Sequence, residues 1–117
     1  MSKIDFSRAR TLHRSWRTKL KPFINGEKTL TPEAAFYHES CEFGQWLYSE
    51  GMLKYGRNPQ MRKIEKTHAR LHTRVRELME MKKAANNFGA ERVMEKIEEM
   101  SEEIIQLLDE LEKEETA

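Results

Sequence analysis

The chain has one cysteine, Cys41, and four histidines among its 117 residues. Three of those histidines, His13, His68 and His72, fall with Cys41 on the apolar stripes of amphipathic segments. That pattern constrains the fold more than any other feature, because burying an unpartnered polar ring costs on the order of several kcal/mol. One thiolate and three imidazoles make a complete tetrahedral shell for zinc. His68 and His72, at i and i+4, project from one helix face a turn apart. His13 stands roughly 10 Å before the end of its helix and Cys41 roughly 15 Å into the next. Cys41 is then roughly 12 Å from the end of its helix, and His68 and His72 are roughly 14–20 Å into theirs. The four groups can therefore meet in one layer of an up-down-up arrangement. A metal there adds on the order of ten kcal/mol of apparent binding energy.

The periodicity around these residues is helical, with no strongly alternating run of the β type. A first helix is expected from about residue 5 to 20, capped by Asp5 or Ser7, with Phe6, Ala9, His13, Trp16 and Leu20 on one stripe. Pro22, Asn25 and Gly26 mark Lys21–Leu30 as a connection. Thr31, Pro32 and Glu33 start a second helix, expected to run to about Ser49 with Cys41 near its middle and Gly51 ending it. The third is expected from near Pro59 to about Asn86, with Met61, Ile64, His68, Leu71, His72, Val75 and Leu78 inward. The fourth follows Gly89 with a seam of Val93, Ile97, Met100, Ile104, Leu107 and Leu111. Four amphipathic helices with short connections predict an all-α, antiparallel four-helix bundle, one domain over residues 1–117, with a buried zinc site.

Composition removes several classes. No apolar run approaches the ~20 residues of a membrane span, and MSKIDFSRAR lacks the apolar core of a secretory signal. A lone cysteine excludes an internal disulfide and suits a reducing cytoplasm. Net charge is +1, yet residues 1–83 hold 18 basic and 9 acidic groups and residues 84–117 hold 3 and 11. This predicts an acidic last helix that packs against a basic body or faces solvent. A nucleic-acid footprint needs basic residues on one uncovered face with aromatics between them; here the aromatics sit at core spacing, so no nucleic acid is expected. The basic run Arg62, Lys63, Lys66, Arg70 and Arg74 reads as a solvated or ion-pairing face.

Motifs add a resemblance. Cys41-Glu-Phe-Gly-Gln-Trp-Leu47 resembles the C-x-[LF]-G-x-W signature of the chemoreceptor zinc-binding (CZB) domain family. His13-x-x-Trp16 resembles that family's first-helix motif, and His68-x-x-x-His72 its third-helix pair. The resemblance covers about residues 5–110. It implies a cytoplasmic bacterial four-helix bundle with a three-histidine, one-cysteine zinc site, His13, Cys41, His68 and His72 being the ligands. It also implies dimerisation and a regulatory role beside chemoreceptors or diguanylate cyclases. The family's domain is commonly fused to a signalling module; the Met-Ser-Lys start and charged end here favour a free-standing member.

Around the site, Gly44 is either a point of close approach or a tolerated surface glycine. Trp16 and Trp46 are expected in the core. His38 is either a substitute ligand or an ordinary surface or partly buried histidine. Glu39, Glu42 and Glu65 are candidate acceptors for the ligand imidazoles. A shell closed by four protein ligands favours a zinc-binding sensory or regulatory domain over an enzyme. It would respond to zinc itself or to oxidants such as hypochlorous acid acting at Cys41. Two alternatives are a metal-free helical interaction module and a hemerythrin-like di-iron protein. For the latter, Glu65-x-x-His68 has no matching pair elsewhere and Cys41 has no role.

Overall fold

The structure, a computed structural model, describes residues 3–116, and the side chains of residues 6–115. The chain is helical, with no strand among the described residues. Helix α1 spans Lys3–Ile24 and buries Phe6, Ala9, His13, Trp16, Leu20 and Ile24. Asp5 and Ser7 thus lie inside the helix and not at the position before its first residue. At the other end α1 continues past Pro22, which forfeits a single backbone bond so near the terminus, while buried Ile24 rewards the extra turn. Gly26, at φ 96°, then closes the helix, with Glu27 N bonded to Pro22 O and Gly26 N to Phe23 O.

The second helix is not the single rod expected. Thr31 caps its start, its side chain accepting from Ala34 N, but α2 ends after five residues, Pro32–Phe36. Tyr37 is extended, and the chain re-enters a helix only after Cys41. Cys41 is therefore not mid-helix: it is the N-cap of α3, Glu42–Trp46, with its Sγ accepting from Gly44 N at 3.2 Å. A π-helical turn, Leu47–Gly51, joins α3 to α4, Met52–Tyr55. Gly51 fits there against the Trp46 ring and the Met61 side chain.

Asn58 caps α5, Pro59–Lys83, accepting from Gln60 N at 2.8 Å. Every inward residue expected of this helix is buried, and Thr67 joins them. The helix stops at Lys83, short of Asn86. Ala85 takes the left-handed conformation at φ 56°, and Asn86 Oδ1 accepts from Gly89 N at 2.9 Å to start α6, Asn87–Thr116. An alanine in that conformation pays a penalty that glycine avoids. Ala85→Gly is therefore expected to raise stability by about 1 kcal/mol, measured by urea unfolding of the metal-free protein. No gain would mean that this turn is unstrained.

α5 and α6 form the most extensive helix pair. Asn58 bonds to Glu114 and Gln60 to Glu110, so the start of α5 lies beside the end of α6. α1 also runs opposite to α6: Arg10 pairs with Asp109 and Glu112 at 3.1 and 3.0 Å, and Arg17 with Glu102 at 2.6 Å. The acidic last helix thus covers part of the basic body, the first of the two outcomes its charge left open. α3 packs on α1 and α2 on α5, which places the broken second segment over the groove where the histidines face inward.

Candidate metal centre

Cys41, His68 and His72 converge. Their ligand atoms lie within 4.8 Å of one another, and all three residues are buried. The Cys41 Sγ is 3.5 Å from His68 Nε2. The His68 and His72 rings, one helical turn apart on α5, meet edge to face with centroids 4.8 Å apart. His13, the fourth ligand expected from sequence, is also fully buried but is not in this convergent group; its ring stands across Phe43 from His68. The Phe43 ring stands edge-on to both His13, at 5.4 Å, and His68, at 5.0 Å. Trp16 packs 4.8 Å from His72 and 6.1 Å from His13, walling the site as well as filling the core.

The break in the second segment has a chemical consequence. A helix end leaves carbonyls without intrahelical partners, and here side chains from α1 and α5 take them. Trp16 Nε1 donates to Ala34 O at 2.9 Å, His72 Nδ1 to Ala35 O at 2.9 Å and Arg76 Nη1 to Phe36 O at 2.6 Å. His68 Nε2 donates to His38 O at 2.9 Å. The two imidazoles of α5 are thus aimed by main-chain oxygens. Glu39, Glu42 and Glu65, the acceptors considered from sequence, do not supply these bonds. Gly44 makes the arrangement possible, because a Cβ there would overlap the His38 carbonyl. It is a point of close approach, not a surface glycine.

His38 contributes its carbonyl to the site. Its ring lies 6.2 Å from that of His68 and 6.0 Å from that of Tyr48, outside the convergent group. Sequence reasoning missed Ser101, whose buried hydroxyl bonds His13 Nε2 at 2.6 Å. The available signal was its position four residues after Ile97 and three before Ile104, inside the seam of α6. Met100, placed in that seam by the sequence reading, is only partly buried.

A common disposition emerges. Each of the three buried histidines has one ring nitrogen held by an oxygen and the other unpartnered in the interior: His13 Nδ1, His68 Nδ1 and His72 Nε2. Burial lowers their pKa values to about 3, 4 and 3, with His68 further opposing charge on His13 and His72. All three rings are therefore neutral at pH 7 and carry a lone pair. Burial also pushes the Cys41 thiol up to about 11, against the pull of backbone N–H groups including Gly44. Buried neutral imidazoles beside one thiol suit a borderline-soft cation that can hold the sulfur as thiolate, which is zinc chemistry.

Residues 13–79 match the family model for the chemoreceptor zinc-binding domain. The matched stretch begins at His13 and takes in Cys41, His68 and His72. The chain belongs to the chemoreceptor zinc-binding domain family. No curated protein and no solved structure matches it. None of its described helices is long and apolar enough to cross a membrane.

Proposed function

We propose that the protein is a zinc-binding regulatory domain in which Cys41, His68, His72 and His13 hold one zinc ion. The observation that carries this reading is the convergence of Cys41 with His68 and His72, their ligand atoms within 4.8 Å of one another and all three residues buried, with the buried His13 ring beside them across Phe43. Zinc would hold the sulfur as thiolate and give the buried imidazoles a partner. Bound there, it would tie α1, the broken segment and α5 together, with residues 32–55 serving as the second member of an antiparallel four-helix bundle. Family membership supports a signalling role over a catalytic one. The partner we propose is a cytoplasmic chemoreceptor or diguanylate cyclase, engaged by a homodimer.

Zinc occupancy is the better candidate for the signal. Cys41 is only 1% exposed and, without metal, its raised pKa keeps it a protonated, poorly nucleophilic thiol. An oxidant could act only on the metal-held thiolate. The test is elemental analysis of protein purified without chelator. We expect one zinc per wild-type chain and none in Cys41→Ala, with zinc in the wild type released reversibly by a competing chelator. Wild-type protein without zinc would sink the reading. Zinc that leaves only after hypochlorous acid treatment would move the signal from occupancy to oxidation.

A further inference from the structure

α6 supplies none of the candidate ligands, yet it reaches the centre through one side chain. Ser101 is fully buried in the middle of an otherwise apolar seam, where an aliphatic residue would pack without a polar atom to satisfy. Its hydroxyl has a specific partner, His13 Nε2, at 2.6 Å and 88 residues away in sequence. The opposite nitrogen of the same ring, Nδ1, is buried without a partner. His68 and His72 show the same division, one nitrogen held and one open, but their holders are main-chain carbonyls. His13 lies in the interior of α1, where the carbonyls are taken by the helix itself. It needs a side chain for the same service.

We propose that Ser101 is the positioning residue for His13. In this assignment its oxygen accepts the Nε2–H, the direction that leaves the lone pair on Nδ1, whereas a hydroxyl that donated to Nε2 would put the proton on Nδ1. The ring is thereby set as a metal ligand before any metal arrives. The bond also makes α6 responsive to the site, since whatever engages His13 is felt across it. This assignment rests on the zinc reading above for its purpose, but not for the tautomer, which is a property of the metal-free chain.

Two measurements test it. The first is a long-range proton–nitrogen correlation spectrum of metal-free wild-type protein, which reports the His13 tautomer directly. We expect the Nε2–H form in the wild type and its loss as the dominant form in Ser101→Ala. An Nδ1–H tautomer in the wild type overturns the proposal, whether or not the variant folds. The second is zinc affinity by chelator competition, with the electronic spectrum of the cobalt-substituted protein. In Ser101→Ala the affinity should fall about 10- to 100-fold, with a weakened cobalt d–d band and unchanged helicity. Zinc binding as tight as wild type, or tighter, overturns the proposal while leaving the zinc reading intact. A wild type that binds no zinc but shows the Nε2–H tautomer fails the zinc reading alone.

Discussion

Replacing Gly44 with alanine is expected to destabilise the metal-free protein by about 3 kcal/mol and to weaken zinc binding at least 10-fold. The added methyl would occupy the position of the His38 carbonyl. That oxygen is backbone, fixed between the end of α2 and the Cys41 cap, so it cannot swing away as a side-chain tip can. If the main chain shifts, the 2.9 Å bond to His68 Nε2 and the 3.2 Å bond from Gly44 N to Cys41 Sγ go with it. Urea unfolding in the presence of chelator measures the first effect and zinc competition the second. A variant within about 0.5 kcal/mol of wild type, the range of neutral surface changes, would show that Gly44 is not a packing point.

Acid is expected to unfold the metal-free protein from pH 6.5 downward, above the range in which carboxylates titrate. His13, His68 and His72 have folded-state pKa values of about 3, 4 and 3, below the ordinary 6.5. The unfolded chain therefore binds protons that the folded chain refuses. The resulting stability is present above pH 6.5 and is lost as pH falls toward the folded values. With three such groups the loss approaches about 4 kcal/mol per pH unit, or about 6 kcal/mol by pH 5. That is comparable to the whole stability of a small domain, about 5–15 kcal/mol. Urea midpoints in chelator between pH 7.5 and 5 would read the slope directly. Midpoints that stay level down to pH 5 would show that these rings are not held neutral by burial.

Periodicity made α1, α5 and α6 readable, because each presents one continuous apolar stripe to a common interior. The inward faces of α1 and α5 follow the sequence reading residue by residue, and of the two outcomes the charge split left open for the acidic helix, packing or solvent, the Arg10 and Arg17 bridges to α6 show packing. The second segment was misread because its start and stop signals, Thr31-Pro32 and Gly51, are those of one uninterrupted helix. Nothing in Tyr37-His38-Glu39-Ser40 forbids helix; the break is stabilised by donors on other helices, Trp16, His68, His72 and Arg76, which a local reading does not see. Spacing predicted that four groups meet; Cys41, His68 and His72 do, while His13 lies outside the convergent group and the sulfur arrives on an N-cap and not on a helix face. Ser101 was hidden because one hydroxyl in an apolar seam carries no periodic signature.

The carbonyls of residues 34–38 have a consequence for how such a centre can diverge. Main-chain oxygens are present whatever the side chain, so substitutions along this stretch leave the aim of His68 and His72 largely untouched. Inserting or deleting one residue between Ala35 and Cys41 instead changes the spacing between these acceptors and the sulfur. Among descendants of this sequence, affinity at the centre would therefore drift slowly with the identity of that segment and abruptly with its length.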